Sequence, residues 1–258
     1  MRLKKPGFIM ERYIPLLVLL CLWQLLCSLG IVASYVLPSP IEIAVGFWDL
    51  LTVGMPPGHL LYYHILYSLY RVSLGFSVAC VLGIPLGLLM GWSPRFHNLF
   101  SPIIEILRPV PPLAWIPIAI VWLGIGIKSA AFIIFLGAFF PILLNTASGV
   151  LAINPILIDA AKTLNATQRD IFSKVLLQGS LPSIFVGMRV GMGVAWMTLV
   201  AAEFTGVKEG YGLGFMIMTA RDIQRPDEIL AGMFVIGMIG FAIDWSFRAW
   251  ESIVRPWE

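Results

Sequence analysis

Residues 129–179 read SAAFIIFLGAFFPILLNTASGVLAI followed by NPILIDAAKTLNATQRDIFSKVLLQG. The first half is an apolar run from Ser129 to Ile153 without a charge, and a helix needs about 20 such residues to cross a hydrocarbon core of about 30 Å. The second half, Asn154 to Gly179, is polar enough to leave the bilayer, yet it is punctuated as two short helices. Asn154 before Pro155 supplies an N-cap and a proline at the first helical position, so the spacing predicts an amphipathic helix over Ile156 to Leu164. Asn165 suits the left-handed conformation that ends helices. Thr167 with Asp170 three residues on matches a capping box and starts a second helix, with Asp where Glu or Gln is usual. A span that empties into so carefully capped a loop sets the fold class as an all-α integral membrane protein. Two readings fit the loop: an amphipathic hairpin resting on the membrane surface, or a rigid knob that docks into a cytoplasmic partner.

Composition agrees with the membrane reading. The 258 residues are 59% hydrophobic and 12% charged, with a mean hydropathy of +0.90, whereas a soluble chain carries about 25% charged residues. Other candidate spans are Ile14–Ala33, Val72–Met90 extended outward through Tyr62, Tyr63, Tyr67 and Tyr70, Leu113–Ile127, Ile184–Ala202 and Ile229–Ile243, which makes six transmembrane helices in one domain over 1–258. The long apolar run after Arg12, with no small-residue cleavage site before Tyr35, is expected to be a retained anchor and not a signal peptide.

With the amino terminus inside, the inner segments hold Arg2, Lys4, Lys5, Arg12, Arg95, Arg108, Lys162, Arg169, Lys174, Arg248 and Arg255, and the outer ones Arg71, Lys128, Lys208, Arg221 and Arg225. The excess of inner cations predicts a multi-pass protein with both termini cytoplasmic. Cys21, Cys27 and Cys80 all fall within spans with no histidine near them, so they are expected to pack as small hydrophobes and to imply neither a disulfide framework nor a metal site.

The run Asp159-Ala160-Ala161, Leu164, Asn165, Val175, Leu177, Leu181-Pro182 and Gly187-Met188-Arg189-Val190-Gly191 resembles the Glu-Ala-Ala loop of binding-protein-dependent ABC importer permeases. Asp159 stands for that pattern's Glu, Asn165 for its Gly, Val175 for its Ile and Gln178 for its Pro. The first three keep the physical role, while Gln178 removes a backbone restraint at the exit of the second helix. Leu37-Pro38-Ser39-Pro40, Ser68-Leu69-Tyr70-Arg71-Val72, the run Arg108 to Pro117 and Thr198-Leu199-Val200-Ala201-Ala202-Glu203 resemble the taurine, alkanesulfonate, nitrate and bicarbonate branch over roughly residues 14 to 250, with the proline-rich run closest to taurine permeases.

The resemblance implies a type I ABC importer permease fold whose loop is a coupling helix. Ile156, Asp159, Ala160, Ala161, Lys162, Leu164, Asn165, Ala166 and Arg169 would then contact an ATPase. It implies a homodimer, an ABC ATPase dimer that uses ATP and Mg, and a periplasmic or lipid-anchored solute-binding protein serving the loops at 34–60 and 204–228. The implied setting is a prokaryotic inner (plasma) membrane. The implied cargo class is a small anionic or zwitterionic solute such as taurine or another sulfonate, with nitrate, bicarbonate or a vitamin precursor as alternatives. No Walker motif, metal cluster or nucleophile constellation is present, so no cofactor, enzymatic activity or nucleic-acid partner is expected of the chain itself. An ion-coupled secondary transporter is the competing class, and it needs several coupled ionisable groups near the midplane.

Within the spans, Pro109, Pro111, Pro112 and Pro117 bar a regular helix, and irregular backbone at membrane depth must be buried or line a cavity. Pro111, Pro112 and Trp115 are thus candidates for the wall of a translocation path, with a plain structural elbow as the alternative. Arg189 lies inside an apolar run with Glu203 fourteen residues later. At 100° per residue the two fall within about 40° on one helix face, with Trp196 on it too. Either Arg189 faces the pore, or it snorkels to the headgroups while Glu203 sits at the outer interface. Gly83, Gly87 and Gly91, and Gly187 with Gly191, predict close helix packing within the subunit or across a dimer. The Gly210 to Gly214 run is expected to be a flexible turn, and Asp244 with Arg248 an i,i+4 pair.

Overall fold

The computed structural model describes residues 6–205 and 210–254, and side chains over 14–205 and 210–251. Arg2, Lys4, Lys5, Lys208 and Arg255, which entered the orientation argument, lie outside the described residues, as does the side chain of Arg12.

Among the described residues every regular element is helical: α1 Pro6–Ser28, α2 Pro40–Thr52, α3 Leu61–Trp92, α4 Pro94–Leu107, a 3-10 turn Pro112–Trp115, α5 Ile116–Leu123, α6 Ile127–Leu151, α7 Pro155–Thr163, α8 Gln168–Asp170, a π-helical turn Ile171–Leu176, α9 Leu177–Phe204, α10 Leu213–Asp222 and α11 Pro226–Val254. Four stretches are long and apolar enough to cross a membrane: α3, α6, Gln168–Phe204 and Pro226–Glu251.

The third expected span, Leu113–Ile127, is not one straight helix. It is a bent pair, Pro94–Leu107 and Pro112–Leu123, that turns by 83°. Pro109, Pro111 and Pro112 cannot supply amide donors there, and Pro111 is extended (φ −58°, ψ 136°). The stretch is not extended throughout, because Pro112–Trp115 closes into a 3-10 turn. Gly124, at φ +75°, then stops α5 after eight residues. The first expected span ends earlier than Ala33, at Ser28, before Gly30 turns at φ +71°. The last runs past Asp244, so that residue lies inside α11 and not at its end.

The chain forms two compact units, residues 1–64 with 216–237 and residues 65–215 with 238–258. In the first unit, Ser39 caps α2: its hydroxyl accepts from the Glu42 amide (3.2 Å), while the Glu42 carboxylate accepts from the Ser39 amide (2.6 Å). Arg225 joins Asp49 (2.9 Å), Asp227 (2.7 Å) and Glu228 (3.0 Å) in the same unit.

The second unit is organised on α6, which buries thirteen of its residues. The glycine rows of α3 and α9 explain how. A Cβ on Gly87 would lie 2.6 Å from the Leu143 carbonyl oxygen, and one on Gly91 would lie 2.5 Å from Val150 Cβ. On the other side of α6, a Cβ on Gly187 would come within 2.8 Å of Asn145 and one on Gly191 within 2.9 Å of Ile142. Small residues let α6 approach both neighbours closely, so these glycines work within the subunit.

Candidate functional site

The loop after α6 is built as its residues dictate. Asn154 Oδ1 accepts from the Ile156 amide (3.0 Å) and starts α7. Asn165 takes φ +62° and stops it, with the Ala166 amide returning to the Ala161 carbonyl (3.0 Å). Thr167 Oγ1 accepts from the Asp170 amide (3.3 Å), and the Asp170 carboxylate accepts from the Thr167 amide (3.2 Å). The second helix, however, does not end before the next span. Gln168–Phe204 runs on as one 37-residue helical stretch through the π turn. Gln178 keeps the amide that a proline would lack, so nothing breaks the chain there.

One face of the loop is inside. Ile158, Ala161 and Ala166 pack against the buried cluster of Leu88, Val150, Ile171, Leu176 and Ile184. The other face is outside: Ile156 is 70% exposed, Leu157 56% and Leu164 83%. Asp159, Ala160, Lys162, Asn165 and Arg169 are exposed as well, and Asp159 pairs with Lys162 at 3.0 Å. The loop thus presents three bare aliphatic side chains on a capped scaffold rimmed by charge.

The site residues on α9 separate. Arg189, half-buried, holds Asp244 at 2.8 Å and Glu251 at 3.7 Å on α11. Asp244 also pairs with Arg248 at 2.7 Å. Glu203 and Trp196 are both buried; Trp196 stands over Gly240, where a Cβ would be 3.1 Å from its indole nitrogen. Arg189 and Glu203 therefore face different partners, about 21 Å apart along the helix.

Glu203 belongs to a buried cluster that sequence reasoning missed. Arg71 Nη1 donates to its Oε1 (2.8 Å) and to the Tyr211 carbonyl (2.6 Å). Ser68 Oγ lies 2.8 Å from the same carboxylate and accepts from the Leu213 amide (2.9 Å). The Gly214 amide donates to Oε2 (2.9 Å). Arg71 and Glu203 are each 0% exposed. The run from Gly210 to Gly214, expected to be a flexible turn, folds over this carboxylate so closely that a Cβ on Gly212 would stand 2.6 Å from Glu203 Cδ. Arg71, expected in an outer segment, lies ten residues into the 32-residue α3. The signal was the tyrosine-rich stretch that extends the second span outward, with Ser68 one helical turn from Arg71.

Pro111 is exposed and Pro112 half-buried. Trp115 packs with Ile116 and Phe132 on the core of Ala119, Ala130, Ile133 and Ala202. Two cavities flank this region in the second unit. One of about 470 Å³ is lined by His97, Ser101, Glu105, Arg108 and the end of α6. The other, about 350 Å³, lies between Pro112, Phe140 and Val194. Among the described residues no group of three or more His, Cys, Asp or Glu side chains is placed to hold a metal ion.

A family model described as binding-protein-dependent transport system inner membrane component matches residues 83–257. A putative ABC transporter permease protein of Methanocaldococcus jannaschii is 48% identical over 190 residues, 74% of this chain and 71% of that protein. The taurine transport system permease protein TauC of Escherichia coli is 38% identical over 245 residues, 94% of this chain and 87% of that protein. Relatives in Bacillus subtilis and Synechocystis named for aliphatic sulfonates, nitrate and bicarbonate are 35–36% identical over 95–98% of this chain and 89–91% of theirs. Among solved structures, an inward-facing conformation of the MetNI methionine ABC transporter aligns with a TM-score of 0.61 at 20% identity, covering 83% of this chain and 96% of that one. This last likeness shows the type I importer permease fold.

Proposed function

The chain belongs to the family of binding-protein-dependent transport system inner membrane components, and from that premise we propose that it forms the translocation path for a small anionic or zwitterionic solute such as taurine or another sulfonate. It does so as a homodimer in a prokaryotic inner membrane, with both termini and the 154–179 loop cytoplasmic. A separate ATPase dimer, which binds the ATP and Mg, docks on that loop. An external solute-binding protein delivers the cargo to the opposite side. The relatives named for taurine, sulfonates, nitrate and bicarbonate support the cargo class, since all four solutes carry anionic charge.

The observation that carries the reading is the loop's outer face. Ile156, Leu157 and Leu164 are bare on a segment whose backbone is held by three separate caps. Exposed aliphatic groups gain about 1.5–3 kcal/mol each on full burial, which an ATPase groove supplies. Asp159, Ala160, Lys162, Asn165 and Arg169 rim that face, while Ala161 and Ala166 hold the loop to α9 and α6. The pair Arg189–Asp244 ties α9 to α11, so a push on the loop reaches both spans. Pro111, Pro112 and Trp115 form the path's irregular wall.

The test is co-purification. Leu164→Glu and Ile156→Glu are expected to strip the ATPase from the complex and to abolish ATP-driven uptake, while the permease still folds. Uptake driven by a proton gradient without any ATPase overturns the proposal.

A further inference from the structure

Most cations around the second unit's helices have an acidic partner. Arg71 holds Glu203, Arg189 holds Asp244, and Lys162, Lys174 and Arg248 pair along their own helices. Arg108 has none. It is the C-cap of α4, where the chain leaves the helix for Pro109, and it lines two cavities of the second unit, which also share Leu144. Leu144 lies seven residues before the end of α6, about 10 Å from that terminus. Arg108 is itself exposed, so its guanidinium is open to a ligand that enters either cavity.

The larger cavity carries the complementary charge. Glu105, three residues from Arg108, lines the same wall but turns away from it to accept from Ser101 Oγ (3.0 Å). His97 lines it too, and its Nδ1 is buried with no hydrogen-bond partner among the described residues. The helix fixes the spacing of Glu105 and Arg108 at nearly one turn. The cavity, about 470 Å³, lies within the range of about 300–1,000 Å³ typical of small-molecule sites. The smaller cavity is mostly apolar, and Asn145 commits its amide nitrogen to the Pro141 carbonyl (2.8 Å), which leaves Arg108 as its one charged group.

We propose that these cavities form a way-station for a small zwitterion, with its anionic head on Arg108 and His97 and its ammonium group toward Glu105. A guanidinium offers the forked donors that suit a sulfonate or carboxylate, and the separated carboxylate selects solutes that also carry a positive charge. The assignment rests on the importer reading and adds to it which residues meet the cargo and why an amphoteric solute is favoured over a simple anion.

Footprinting of the purified permease–ATPase complex tests it without a variant. Phenylglyoxal modification of each arginine, read by mass spectrometry, is measured with taurine, ethanesulfonate or ethanolamine present. Taurine is expected to protect Arg108 relative to Arg95 and Arg169, ethanesulfonate to protect it less, and ethanolamine not at all. In the complete transporter, Arg108→Gln is expected to slow taurine import about tenfold, the value of one lost charge-assisted contact of about 1.4 kcal/mol, and Arg108→Lys, which keeps the charge but not the fork, to recover only part of it. Equal modification of Arg108 under all three probes, in a complex that imports taurine on ATP, overturns the way-station and leaves the importer reading standing. A complex with no ATP-driven uptake of any probe overturns both.

Discussion

Replacing Glu203 by Gln keeps the side chain's shape and removes its charge, and the structure sets the cost. The carboxylate takes hydrogen bonds from Arg71, Ser68 and the Gly214 amide in a site with no solvent exposure. Gln can still accept from Arg71, but its amide nitrogen then meets the Gly214 N–H, donor against donor, and the guanidinium is left as an uncompensated buried cation. Breaking a buried pair from one side costs about 3–5 kcal/mol. For a chain near this size, at about 2–4 °C per kcal/mol, the apparent Tm should fall by about 6–20 °C.

Arg71→Met alone should cost as much, since it strands the carboxylate. The double variant Arg71→Met, Glu203→Leu removes both charges and leaves the Gly214 amide and the Tyr211 carbonyl unpaired, at about 1–3 kcal/mol each. It should therefore be clearly more stable than the sum of the two single changes. Thermal unfolding of the purified complex in one detergent, scanned at one rate, measures all three. A Glu203→Gln protein within about 1 kcal/mol of the parent, or single effects that simply add in the double variant, would refute the account of this cluster as a charge-coupled fastening between α3, α9 and the 210–214 run.

Two further outcomes follow from the caps. Asn154→Ala should weaken α7 by about 1 kcal/mol, and Asn165→Val by about 1–2 kcal/mol through its left-handed backbone, with Asn165→Gly tolerated; hydrogen exchange over 155–163 reads all three, and unchanged protection in both destabilising variants contradicts the capping account. Glu42 is held below its ordinary value of 4.5, chiefly by the Ser39 backbone amide. A lowered folded value means its contribution is complete above pH 4.5 and is lost as pH falls through the folded value. Protection of the first turn of α2 should thus decline on acidification in the parent and not in Glu42→Gln, as judged against intrinsic exchange rates.

How far residues could be read depended on the range of the interaction involved. Asn154, Asn165 and the Thr167–Asp170 box were legible because each acts within four residues, and all three have the expected geometry. The glycine rows were legible as close packing, but only the structure shows that α6 is the helix approached from both sides. The burial of Arg71 was not legible, because its partners, Glu203 and the Tyr211 carbonyl, come from distant parts of the chain. Gln178 was recognised as a lost restraint, and its consequence, one continuous helix from Gln168 to Phe204, depends on the packing of Ile171 and Leu176 against α3 and α6.

The sequence alone determined that this is a helical membrane protein with a capped loop, because hydropathy and capping are local and additive along a chain. Tertiary structure decided the partners of its scarce charges. Arg189 turned to Asp244, Glu203 to Arg71, and Arg108, among the described residues, to no acidic group. Such pairings join residues up to 176 positions apart, as Arg225 with Asp49. In a low-dielectric interior a charge is governed by whatever lies within a few ångströms, and helical periodicity carries no record of which neighbour that will be.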